Sequence, residues 1–428
     1  MPVSLVGIEQ YEPDVLESAR LGDYRSALRI AHAYQEAATS GRNDIRAQIH
    51  QERSGLLLGR MLLTIGYRSK AKPFLKEALR ADDPADRVTA AVCLAELGLP
   101  SDEWEELIAE VDAISKELAH QSADEGQRLL LLLRVARAIG MSDGDKAAEA
   151  VDLLDPVIGH PHLSAAEEIH ARLVRSRSAR YCGLMALAEE DATEALAVAE
   201  SEDDLLWIGR CKIALAHVLI DIEDMERATG SLTSAQTALA NSGLLHDLAV
   251  IANALGEIDR FSGAHHAASN HYRRAIQLWT DLDAQSHLGL PRANLLILLL
   301  DNDRVAEAGE LWTSLEGWRD QCPDYLRLSL EFQHLRLLQL EGKTGEAIEG
   351  LSKALEGNPP LEVDDALALQ WLVEQFIELP KDRRPLQVLF SAAQALSAAE
   401  QIWHRLERDD NLQEVQELRA KVAALLPA

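Results

Sequence analysis

Apolar residues recur along most of this 428-residue chain at three- and four-residue intervals, the spacing that buries one face of a helix. Within that rhythm a small-large-small pattern stands out. Ala71, Ala195, Ala228, Ala268, Ala308 and Ala347 are followed four residues on by Leu75, Ala199, Leu232, Tyr272, Trp312 and Leu351, and seven on by Ala78, Glu202, Ala235, Ala275, Leu315 and Ala354. Glu202 is the single misfit. Five residues before each alanine stand Gly66, Glu190, Glu223, Gly263, Asp303 and Gly342, residues suited to a tight turn between helices. Twelve before stand Gly59, Gly183, Ala216, Gly256, Leu296 and Leu335, four of them small enough to admit a neighbouring helix. The pattern predicts helix hairpins in series, each with a marker alanine on its second helix.

Weaker copies surround Gly22-Asp23-Tyr24 with Ala27, Ala31 and Tyr34, and Ala150 with Leu154 and Val157. Taking Ala27 and Ala150 into the series, successive spacings are 44, 79, 45, 33, 40, 40 and 39 residues. The gap of 79 spans two units, so a degenerate copy is expected over about 85–118, around the Gly98-Leu99-Pro100 turn. The clearest copies run from Leu255-Gly256 through Gly263, Ala268, Tyr272 and Ala275, and from Leu58-Gly59 through Gly66-Tyr67, Ala71, Leu75 and Ala78. These residues resemble tetratricopeptide repeats, in their long-unit variety of about forty residues known from bacterial sensor and scaffold proteins. The ordinary repeat has about 34 residues, so longer helices or loops are expected.

The expected fold is all-α: a right-handed solenoid of about nine hairpins over residues 1–356, then divergent helices and a cap over 357–428. A hairpin buries only one side of each helix, so stability must come from stacking, and the last helix needs a polar outer face. Leu412 to Leu426 fits, with Gln413, Glu414, Gln416, Glu417, Arg419 and Lys421 opposite an apolar stripe.

Composition agrees with helix: 47% hydrophobic, 4% aromatic and 14 Pro leave little room for a large sheet. A formal charge of −28 disfavours nucleic acid and anionic membrane as partners. No apolar run approaches the ~20 residues of a membrane helix, and the first residues lack the basic and apolar segments of a signal peptide. A cytoplasmic protein is the expectation, with a bacterial origin suggested by Ala, Leu and Arg usage. Cys93, Cys182, Cys211 and Cys322 lack metal-ligand spacing and are expected reduced.

The resemblance implies that first helices line a concave groove that holds a protein or peptide. Alignment on the marker alanines sends Arg53, Arg60, Arg177, Arg180, Arg210, His217, Asn253, Glu257, Arg260, Gln333, Arg336 and Gln339 toward it. Such arginines would suit an acidic or phosphorylated segment; the competing reading is helix-forming arginine paired with acidic neighbours. The lysines of the eukaryotic carboxylate clamp are missing, so that clamp is not carried over. Trp207, Trp279, Trp312 and Trp318 read as packing residues. No cofactor, metal site or catalytic residue is expected. Gly342-Lys343-Thr344 lacks the remaining glycine and the strand of a phosphate loop. His160, His162 and His170, like His265, His266 and His271, lack closing ligands, and Asp143-Gly144-Asp145 with Glu149 is too short for a calcium loop. The expected function is a non-enzymatic interaction scaffold or adaptor. The alternatives are a ligand-responsive sensor arm without its own effector domain and a self-assembling structural protein, the latter a homo-oligomer.

Overall fold

The computed structural model describes residues 10–39, 45–120, 123–142, 146–319, 324–355, 363–380, 386–405 and 408–426. Among them every regular element is helical, and the chain divides into two compact units, Met1–Ala284 and Gln285–Ala428. Cys322 and the Asp143-Gly144-Asp145 segment lie outside the described residues.

Unit 1 contains seven hairpins: α1 (Tyr11–Arg20) with α2 (Tyr24–Thr39), α3 (Ile45–Ile65) with α4 (Arg68–Ala78), α5 (Pro84–Ala95) with α6 (Ser101–Leu118), α7 (Asp124–Ile139) with α8 (Ala147–Leu154), α9 (Ala165–Tyr181) with α10 (Met185–Ser201), α11 (Leu205–Asp221) with α12 (Met225–Leu239), and α13 (Leu245–Phe261) with α14 (His265–Asp281). The hairpin α5–α6 occupies the stretch assigned to the degenerate copy. In α9–α10 and α13–α14 every helix has 17 residues, and each is followed by a three-residue turn. Longer helices thus make the forty-residue unit.

The turns repeat as regularly as the helices. Gly183, Glu223, Gly263 and Asp303 all have φ between 54° and 76°, and Gly342 has 80°. Only this left-handed backbone lets a helix reverse in three residues, and two of the five positions carry a side chain that strains it. These turns also correct one marker. Glu190 lies inside α10, whereas Gly183 is the turn residue, so the alanine equivalent to Ala228 is Ala188, fully buried, and not Ala195.

Hairpins close through small residues. A methyl group on Gly256 would come 2.6 Å from Cε1 of Tyr272, so the absence of a side chain in α13 is what seats the tyrosine of α14. Caps fix the starts. Ser164 and Glu167 form a reciprocal capping box at α9, and Asp204 and Asp224 accept backbone N–H groups at α11 and α12.

Unit 2 holds a 3-10 turn (Gln285–His287), the hairpins α15 (Gly289–Asp301) with α16 (Val305–Arg319) and α17 (Asp324–Leu340) with α18 (Thr344–Ala354), then α19 (Val363–Ile377), α20 (Leu386–Arg405) and α21 (Asp409–Leu425). The described residues therefore contain nine hairpins across the two units. α19 packs on α17, and α21 lies on α19 and α20. α21 buries Leu412, Val415, Leu418 and Val422 and exposes Gln413, Glu414, Gln416, Glu417, Arg419 and Lys421, the polar outer face expected of a cap.

Candidate functional site: the inner wall of unit 1

First helices pack side by side, α3 on α5, α5 on α7, α7 on α9, α9 on α11 and α11 on α13. This is the expected inner wall. It does not stay an open groove, because α13 returns to touch α3. The amide of Tyr24 donates to the carbonyl of Ser242 at 3.2 Å, a methyl on Gly66 would meet Cβ of His246 at 2.7 Å, and Arg210 Nη2 reaches the carbonyl of Thr64 at 3.5 Å. In unit 1 the wall closes into a ring. A cleft of about 300 Å³ lies on the seam, lined by Leu21, Gly22, Tyr24, Leu205 and Leu244 among others.

Charged side chains gather inside. His170 of α9 donates through Nε2 to Glu96 Oε1 at 2.6 Å. Arg68, the first residue of α4, donates through Nη1 to the carbonyl of Glu96 at 2.8 Å. Arg210 of α11 donates through Nε to Asp247 of α13 at 3.1 Å. Burial raises the pKa of Glu96, but the His170 hydrogen bond and the charges of His170, Arg177 and Arg68 outweigh it and hold the carboxyl well below its usual range. Burial lowers the pKa of Arg68; the Glu96 charge, and more weakly that of Asp247, oppose this, while Arg210 and Arg177 add to it. His246, which accepts from Trp279 Nε1 at 3.3 Å, is likewise kept neutral by burial and by Arg68 and Arg210. Water still reaches the cluster: the Arg210 side chain is 28% exposed and that of Glu96 32%.

The twelve predicted residues divide between the two units. Arg177, Arg180, Arg210 and His217 lie half-buried on α9 and α11. Arg180 donates through Nε to Asp221 at 2.7 Å, one repeat further on, as Arg210 does to Asp247. These arginines therefore tie successive hairpins together. Arg53 and Arg60 are exposed on α3, Asn253 is buried in α13, and Glu257 and Arg260 are half-buried there. In unit 2, Arg336 donates to Asp301 at 2.8 Å and to Gln333 at 2.9 Å, both Gln333 and Arg336 being buried, and Gln339 is half-buried.

Sequence reasoning missed Arg68, Glu96, His170, His246 and Asp247. Counted from Ala188, His170 falls eighteen residues before the marker, where Arg210 stands relative to Ala228, so the corrected register would have found it. Nothing in the repeat announces Arg68 or Glu96, because they sit at helix ends. Trp207 packs, half-buried, against the cluster of Ile169, Ala195, Ala199 and Cys211, and its ring also lies 5.8 Å from that of His170 and 5.7 Å from the Arg210 guanidinium. Trp279 and Trp312 are buried, and Trp318 covers Gly289. Cys93, Cys182 and Cys211 are free thiols, and among the described residues no group of three or more His, Cys, Asp or Glu is placed to hold a metal.

Hairpins with alanine-marked second helices, stacked first helix against first helix, decide the architecture. The fold is tetratricopeptide-like. No protein-family model matches the chain, and no curated protein does. Among solved structures, the human IFIT1 dimer with PPP-AAAA is similar over 99% of this chain and 95% of its own, with a TM-score of 0.50 and 13% identity. A Rap protein complexed with competence and sporulation factor gives 0.48 and 11% over 98% and 99%. Aspartyl phosphate phosphatase F from Bacillus subtilis gives 0.45 and 13% over 99% and 94%. At these identities the likeness concerns fold alone. Among the described residues no helix is long and apolar enough to cross a membrane.

Proposed function

We propose that the protein is a non-enzymatic interaction scaffold that holds a protein or peptide segment against the polar wall of its first helices. The observation that carries this reading is the convergence of Arg177, Arg180, Arg210 and His217, on two adjacent first helices, with solvent still reaching them. Stacked hairpins supply a long rigid surface, and guanidinium groups on it favour carboxylates through paired hydrogen bonds. An acidic segment is therefore the preferred partner, and with a chain charge of −28 its selection depends on this local basic wall. The ring in unit 1 means that such a segment enters only as the seam between α2 and α12–α13 yields, or engages the exposed Arg53 and Arg60 on α3.

Affinity capture tests the reading. Arg53→Glu with Arg60→Glu changes exposed residues, so the fold should survive, as circular dichroism would verify. Captured partners are identified by mass spectrometry, their binding segment is mapped with peptides, and affinity is compared with wild type. The expected result is at least tenfold weaker binding in that double variant or in Arg177→Glu. Unchanged affinity in both removes the wall as the binding surface.

A further inference from the structure

The turns that join α9 to α10, α11 to α12 and α13 to α14 form one edge of unit 1. Gly183, Glu223 and Gly263 hold equivalent left-handed backbone there, and α9, α11 and α13 pack side by side with 17 residues each, so their ends come level. Arg180 Nε donates to Asp221 at 2.7 Å and Arg227 Nη2 to Glu189 at 2.9 Å, which fixes the first two turns against each other. Large apolar side chains stand out from this edge. Tyr181, Ile222 and Phe261, at the ends of the three first helices, are 50%, 42% and 52% exposed, and Leu184 in the first turn is 48% exposed. Four of the twelve exposed large hydrophobic residues among the described ones thus share three neighbouring turns. Charge around them is one-sided: residues 180–190, 220–227 and 260–266 hold six carboxylates against three guanidinium groups. Arg180 and Arg227 are taken up by the pairs above, Arg260 lies over the Phe261 ring at 4.5 Å, and exposed Glu190 and Glu226 touch no cation among the described residues.

We propose that this edge docks a basic amphipathic helix of another protein, its apolar face on Tyr181, Ile222 and Phe261 and its Lys or Arg residues on the surrounding carboxylates. Spacing selects a helix. Helices packed side by side lie about 8–10 Å apart, and seven residues of a docked helix advance about 10.5 Å, so apolar residues seven apart keep step with the row. An extended segment does not, because residues on one of its faces recur about every 6.7 Å. Charge selects the sign: the surplus of carboxylates attracts a basic segment and repels the same edge of a second copy. The edge lies outside the inner wall, so this docking does not depend on the partner assigned above.

The test is fluorescence anisotropy on the full chain with a labelled synthetic helix whose leucines recur every three and four residues on one face, flanked by lysines. One control peptide has the same composition with the leucines scattered round the helix; the other has glutamate for each lysine. The expected result is saturable binding of the first peptide alone, about tenfold weaker in Ile222→Ser with Phe261→Ser and several-fold weaker in Glu190→Lys with Glu226→Lys. All four residues are exposed, so melting temperatures should match wild type. Arg53→Glu with Arg60→Glu, on α3, should not weaken binding. Absence of saturable binding, equal binding of the scattered peptide, or full affinity in the Ile222 and Phe261 double variant would overturn the proposal. So would self-association of the wild-type chain in sedimentation that this double variant abolishes, which would assign the edge to a second copy.

Discussion

Individual side chains show where this fold is tight and where it is strained. Tyr272 lies flat over Gly256, so Gly256→Val would force the ring away and cost about 1–3 kcal/mol, the usual penalty of overpacking; urea unfolding would show a lower midpoint at unchanged slope. Asp303 and Glu223 hold left-handed backbone that glycine adopts freely. Asp303→Gly and Glu223→Gly should each stabilise by about 1 kcal/mol, measured the same way, in contrast to the loss expected of glycine elsewhere in a helix. His217 contributes to the acid behaviour. Burial first, and Arg180 second, push its pKa down to about 3, against 6.5 in an unfolded chain. Protons therefore bind the unfolded state first, and the contribution of His217 is complete above pH 6.5 and declines as the pH falls toward 3. His217→Gln should flatten the dependence of unfolding midpoint on pH across that window; an unaltered slope would contradict the depressed pKa of His217.

At the scale of the helix, most of the architecture was legible because a hairpin repeats its own chemistry every forty residues. Small residues mark where helices cross, and turn residues mark where they reverse. The one register error has a physical source. α10 buries Ala188, Ala192, Ala195 and Ala199, so alanines line its inner face at every turn and the marker slid by seven residues, two helical turns, without disturbing the apolar pattern. Arg177 and Arg180 survived that slip because seven residues return a side chain to nearly the same face; His170 was lost to it. The same hairpin carries a test of its internal charges. Asp191, fully buried on α10, accepts two hydrogen bonds of 2.8 Å from Arg175 and one of 3.4 Å from Arg172, both on α9. Asp191→Ala would leave these arginines without their buried anion and should cost about 3 kcal/mol. Ser164→Ala, removing the capping box of α9, should cost about 1 kcal/mol. Thermal melts of the two variants would rank them in that order.

At the scale of the molecule, closure of the wall in unit 1 was not legible. Contacts such as Tyr24 with Ser242, or Arg210 with Thr64, depend on the small rotation from each hairpin to the next, summed over five of them. No residue pattern states that angle. What the sequence did contain was the reason closure can be tolerated: paired charges on the inner face in place of an apolar stripe. The ring decides what can reach the inner wall, so its seam is the place to measure. Leu21 and Leu205, 63% and 40% exposed, line the same seam cleft and would accept spin labels as cysteines in a background lacking the other accessible thiols. Dipolar spectroscopy on Leu21→Cys with Leu205→Cys should give a single short, narrow distance; a long, broad distribution in a folded protein would show an open wall and contradict the account.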